Sequence, residues 1–216
     1  EKKQSKSRSA YTGHANWEAE FDSFGNKWTW FGYKMDLAVD THNKLPIAAE
    51  VTPAHINDGD VAPDLMADAI EILDTKPKFF IMNAGYNQYK NDEYAHQHGA
   101  QAIIPLNLRH EKEPPAGMMS NGTPQCTMEY EMTYWGADQS YLKFRCPHAT
   151  DKVDFPLGMA ACSPSNYGMV TNVRLDDDLR RYRKPHRDTR QWKELYSERT
   201  SVERCKSCTK TYLTAN

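Results

Sequence analysis

The sequence predicts an α/β protein with a mixed sheet, and three observations predict it. Strand-length apolar runs recur at 28–40, 45–53, 78–82 and 101–106. Between them lie two segments with helical periodicity, 58–73 and 88–98. The order strand, strand, helix, strand, helix, strand then alternates as layered α/β folds do.

Each element has its own justification. "WTWFGYKMDLAVD" (28–40) and "LPIAAEVTP" (45–53) are rich in aromatic and branched residues and are joined by the turn "THNK". In "DGDVAPDLMADAIEIL" (58–73), Val61, Leu65, Met66, Ala69, Ile70 and Leu73 fall on one face. Asp58 or Asp60 is the expected cap, and Pro63 is expected in the first turn. "KFFIM" (78–82) reads as a buried strand that delivers a polar residue, Asn83, at its C-terminal tip. "QYKNDEYAHQH" is a short helix stopped by Gly99, and "QAIIPL" follows as a strand. Residues 1–27 look like a polar lead-in. Residues 107–173 carry turn chemistry ("EPPAG", "SNGTPQ", "CSPSNYG") between short β-like runs and read as a β-rich insertion. A long helix is expected from Thr189 to about Leu213, opened by Asp188 or Thr189, within a C-terminal segment 174–216 that completes the core begun at 28–106.

The chain has 216 residues, 39% hydrophobic and 26% charged, which is the composition of a folded domain and not of a disordered tail. No apolar run approaches the roughly 20 residues of a membrane span, so no membrane partner is expected. The basic, polar start shows no signal peptide, and a beginning without Met reads as a fragment. Five cysteines without a secretion signal point to a reducing compartment. Charge is unevenly spread. Met35 to Asp74 holds nine acids against one Lys, and Arg174 to Lys210 holds twelve Lys or Arg against seven acids. Two solvated faces would account for this; so would an acidic metal site beside a basic surface for DNA, and charge alone does not decide.

On the expected last helix, Tyr196 is followed by Arg199, Glu203 and Lys210, which 100° per residue places within about 60° of one another. An exposed face laced by i,i+4 Arg–Glu pairs would look the same. The order Y-x2-R-x3-E-x6-K resembles the signature of the DDE transposases of bacterial insertion sequences. "WFGYKMDLAVDTHNKLPIAAEVTPAHINDGD" is similar to their "G-Y-K" block, and "FFIMNAGYNQYKNDEY" matches the segment that usually reads "D-x-G-Y-D". The resemblance covers roughly residues 10–213.

What the resemblance implies is a ribonuclease-H-like fold, a mixed five-stranded sheet whose three carboxylates hold paired Mg²⁺ or Mn²⁺ ions. These cut and join DNA by in-line attack on phosphodiesters. Glu203 would be the third carboxylate, Arg199 and Lys210 would hold phosphates, and Tyr196 would lie near the cleaved strand. Double-stranded transposon ends and target DNA, a homodimeric synaptic complex and a bacterial, nucleoid-associated cytoplasmic location are implied with it. Two departures stand out. The second Asp is Asn83, which brings no charge to a metal pair, so cleavage is expected to be impaired; otherwise Asn83 simply caps the following turn. The first Asp is not found: Asp22 lies too close to Gly32, and Asp36 and Asp40 are the alternatives.

Cys126, Cys146, His148 and Cys162 form a zinc set by residue type, with 19 and 15 residues between successive cysteines and no C-x2-C knuckle; buried or free thiols are the other reading. Cys205 and Cys208 are expected to pack. Three functions therefore stand open: an impaired transposase catalytic domain, a catalytically dead DNA-binding remnant or domesticated protein, and a zinc-stabilised interaction domain.

Overall fold

A computed structural model describes residues 14–21, 24–108, 111, 113–154 and 162–213. They fall into two compact units. The first takes the described residues up to Pro77 together with those from Arg199 onward; the second is Lys78–Glu198.

The first unit is built on three antiparallel strands, β1 (Asn16–Phe21), β2 (Lys27–Val39) and β3 (Pro46–Pro53). β1 lies inside the stretch expected to be a lead-in. Trp17, Ala19 and Phe21 alternate with polar residues there, a period of two that pairs Trp17 with Phe31 across the ladder. β2 is long enough to pair with β1 through its first half and with β3 through its second, from Tyr33↔Pro53 to Val39↔Pro46. The turn between β2 and β3 is held by Asp40. Its carboxylate accepts the backbone N–H groups of His42 and Asn43, which holds it below the usual carboxylate range.

Helix α1 (Asp58–Ile72) packs on β2 and β3 through buried Val61, Leu65, Met66 and Ala69. Its cap is Asn57, not Asp58 or Asp60: the extended Asn57 backbone lets Oδ1 accept from Gly59 N–H at 2.9 Å. Pro63 consequently sits inside the helix, past the first turn, where it has no N–H to donate. Helix α4 (Thr200–Leu213) packs on β2, with Ser201 and Cys205 buried and Lys44 Nζ donating to Ser201 Oγ at 3.0 Å.

The second unit holds two sheets. β4 (Phe79–Ile81) and β5 (Gln101–Ile103) are parallel neighbours joined through α2 (Tyr89–Gln97). Gly99 ends α2 in the left-handed region, at φ 75°, with Ala100 N–H returning to Ala95 O at 2.9 Å. β5 stops before Pro105, which has no N–H for a ladder. β6 (Thr133–Ala137), β7 (Tyr141–Arg145) and β8 (Val170–Arg174) form an antiparallel sheet over a separate core of Leu142, Phe144, Val173, Tyr182, Cys126, Met132 and Cys146. α3 (Arg190–Ser197) packs on β5 and is capped by Thr189, whose Oγ1 accepts from Trp192 N–H at 3.2 Å.

The single long helix expected from Thr189 to Leu213 is thus two helices, broken at Glu198 and Arg199. Ser197 Oγ donates to Glu194 O at 2.6 Å and Glu198 N–H reaches back only three residues, to Leu195 O at 3.1 Å, so the first helix tightens and stops.

Candidate functional site

The parallel pair places its C-terminal tips together, and Asn83 is the exposed residue at the tip of β4. It is extended, at φ −75° and ψ 173°, and its Oδ1 accepts the Gly85 N–H at 2.8 Å, opening a short 3-10 turn over Ala84–Tyr86. The capping alternative is therefore realised in the geometry. An aspartate at the same position would make the same cap, so the cap leaves the comparison with a carboxylate intact.

The loop after Asn83 is fixed by amides that sequence reasoning missed. Asn107 N–H donates to Asn87 Oδ1 at 2.9 Å, Asn107 Nδ2 to Ala84 O at 3.3 Å, and the fully buried Asn91 to Tyr86 O at 2.8 Å. Behind it lies an arginine cluster. Arg183 pairs with Asp92 on α2 and also donates to Ala102 O on β5, while Arg187 donates to Ile104 O at 3.1 Å. Burial pushes the Asp92 carboxyl up to about 6 against the pull of Arg183, and pushes Arg187 down to about 9, with Arg183 adding to that. Arg180 and Arg181 bind Glu111, holding its carboxyl below the usual range, and Arg181 also pairs with Asp178. Four cations of the basic C-terminal stretch are thus tied to carboxylates and carbonyls of the same unit. Nothing in the spacing "RRYRKPHR" separates a buried arginine from a solvated one.

The four residues Tyr196, Arg199, Glu203 and Lys210 do not share one helix. Tyr196 is on α3, half-buried and stacked on Trp192 at 5.0 Å, and Arg199 stands in the break. Glu203 and Lys210 are exposed on α4. Arg199 Nη1 donates to Glu203 Oε1 at 2.9 Å, the i,i+4 pair of the alternative reading. Asn83 and Tyr196 belong to the second unit, and Arg199, Glu203 and Lys210 to the first.

Of the candidates for the first carboxylate, Asp22 lies outside the described residues, Asp40 is committed to its turn, and Asp36 is buried in β2 opposite Glu50. Cys126 and Cys146 are buried in the β6–β8 core, with Cys162 packed against them. His148 turns instead to Val153 O at 2.9 Å, and among the described residues no three His, Cys, Asp or Glu come together as a metal-holding group. Cys126, Cys146 and Cys162 thus pack at one apolar core, the arrangement of the buried-thiol reading. Cys205 is buried as expected, but Cys208 is exposed.

The same test applies to paired divalent ions. The donors are one amide oxygen already taken by Gly85 N–H and one exposed carboxylate already paired with Arg199. These residues as they stand do not fit a site for two hard cations, which require several anionic oxygens.

The chain belongs to the transposase DDE domain family, whose model matches residues 6–213. No curated protein and no solved structure matches it. Among the described residues, no helix is long and apolar enough to cross a membrane.

Proposed function

We propose that this chain is the catalytic domain of a DDE-type transposase on a ribonuclease-H-like fold, with metal-dependent cleavage and transfer of DNA ends impaired by the amide at position 83. The observation that carries the reading is the placement of Asn83. It occupies the exposed tip of a parallel strand, in a chain of a family named for its acidic triad, with the polar turn behind it held by Asn87, Asn91 and Asn107.

Glu203 is the third carboxylate in this reading, Arg199 and Lys210 bind phosphates, and Tyr196 lies beside the DNA strand. Its partners are duplex transposon ends, a target duplex and a second copy in a synaptic dimer, in the nucleoid-associated cytoplasm of a bacterium. Mg²⁺ or Mn²⁺ would supply the charge that activates water and stabilises the leaving oxygen, once a full carboxylate set is present. A second reading, a DNA-binding remnant or domesticated protein, is favoured by the Arg199–Glu203 pair, which satisfies the last carboxylate without metal.

Titration of a labelled duplex at several salt concentrations tests the binding part shared by both. The expected result is a salt-dependent affinity whose log–log slope falls by about one in Arg199→Ala and in Lys210→Ala. Duplex affinity unchanged in both variants would remove the assigned phosphate contacts. Nicking that needs Mn²⁺ would then separate the enzyme from the remnant.

A further inference from the structure

The β6–β8 sheet has two different faces. Leu142, Phe144 and Val173 point into the apolar core. The alternate positions of the same strands point the other way, and there basic and aromatic side chains interleave: Lys143 and Arg145 on β7, Arg174 on β8 beside Tyr141. Trp135 joins them from the bulge between Tyr134 and Gly136, and Tyr167 from the segment leading into β8.

Arg145 organises this face. Its guanidinium lies 4.1 Å from the Trp135 ring centroid and 3.6 Å from that of Tyr167, and donates to Tyr167 O at 2.7 Å. It is 93% buried, yet Trp135 and Tyr167 remain 50% and 43% exposed. A half-exposed tryptophan and tyrosine pinned by a cation between them present rigid, open ring faces. Ordinary surface aromatics that merely escape the core are not held in this way. Lys143 Nζ sits 5.5 Å from the Tyr167 ring, and Arg174 is exposed at the far end, 3.7 Å from Asp176.

We infer that this face binds single-stranded DNA, with bases stacking on Trp135 and Tyr167 and backbone phosphates following Lys143 and Arg174. The occupant follows from the chemistry. Stacking surfaces with cations between them suit a polyanion whose bases are unpaired, and every base has a π face to offer. A duplex hides those faces and would leave both rings unused. The inference rests on the DNA-processing reading above but not on the Asn83 tip, so the two can fail separately.

The test is anisotropy of a fluorescently labelled oligothymidylate without divalent metal, using the full chain, Trp135→Ala, Trp135→Phe and Tyr167→Ala, with the labelled duplex alongside. Because both rings are exposed, the variants are expected to keep the native circular dichroism and melting profile. The expected result is about tenfold weaker oligothymidylate binding in each alanine variant, substantial recovery in Trp135→Phe, and duplex affinity within twofold of the native chain. Single-strand affinity unchanged in both alanine variants, or equal losses on single strand and duplex, would overturn it. If Arg199→Ala and Lys210→Ala weaken only the duplex, the two surfaces are independent; if duplex binding is absent while the rings still hold the single strand, the catalytic reading fails and this one stands.

Discussion

Asp92 and Arg183, with side chains 3% and 6% exposed, show how far a residue's neighbourhood outweighs its charge in the sequence. The local excess of cations between Arg174 and Lys210 suggests a basic surface, yet Arg180, Arg181, Arg183 and Arg187 are tied to neighbouring carboxylates and carbonyls. Removing one partner of a buried pair leaves the other unsatisfied in a dry site. Asp92→Ala is therefore expected to cost about 3–5 kcal/mol in denaturant unfolding, against about 0.5 kcal/mol or less for Glu203→Gln in the solvated pair with Arg199. Comparable losses would mean that Arg183 finds water. His186 offers a titration test. Its ring stacks on Tyr134 at 4.3 Å, meets Phe144 edge-on, and accepts Asp188 N–H at 3.4 Å. Burial holds its pKa below the ordinary 6.5, with Arg187 adding to that and Asp188 and Glu131 opposing. A depressed folded-state value means that His186 contributes stability above pH 6.5 that is lost as the pH falls below it. Asp92, raised to about 6, acts in the opposite sense: it penalises the fold as the pH rises through that value. Only the difference between native chain and His186→Phe isolates the histidine. That difference is expected to shrink between pH 7 and 5, and a pH-independent difference would contradict the assignment.

Elements were legible wherever one local signal sufficed. The 28–40 run appears as β2, and Thr189 caps α3 as its position promises. Failures came where two local options competed. The sequence offers Asp58 and Asp60 as caps for α1, and the structure uses neither: the backbone of Asn57, extended at ψ 131°, makes it the cap. Asn57→Ala is expected to destabilise by about 1 kcal/mol in thermal unfolding, and Asp60→Ala by clearly less, since Asp60 does not make the cap. The reverse order would move the cap. The break between α3 and α4 had no Gly or Pro to announce it, because a serine hydroxyl and a shortened turn make it instead. The turn before β8 also depends on one residue: Gly168, at φ 78°, lies where an added Cβ would come within 2.6 Å of Ala149 Cβ and 2.9 Å of Cys146 Cβ. Gly168→Ala is expected to lower the melting temperature, whereas Gly117→Ala, at the same φ with open space around it, should cost only the backbone strain.

At the scale of the whole molecule, the order of strands and helices was readable because hydrophobic period and turn residues are local quantities. The role of the cysteines was not, because sequence spacing carries no distance and leaves zinc set and buried thiols both open; Cys126, Cys146 and Cys162 gather at an apolar core while His148 bonds to Val153 O. The four-residue stripe failed for a related reason, since a helical wheel holds only while the helix continues, and this one stops before Arg199. Asn83 follows the tip of β4 and caps the turn after it, two positions that one amide fills at once. The central claim is that position 83 is the second carboxylate site of a transposase core, and calorimetric titration of Mn²⁺ tests it most directly. The account expects weak or negligible binding by the native chain, clearly tighter binding by Asn83→Asp, and loss of that gain when Glu203→Gln is added. Equal binding by the native chain and Asn83→Asp, or a gain indifferent to Glu203, would contradict it.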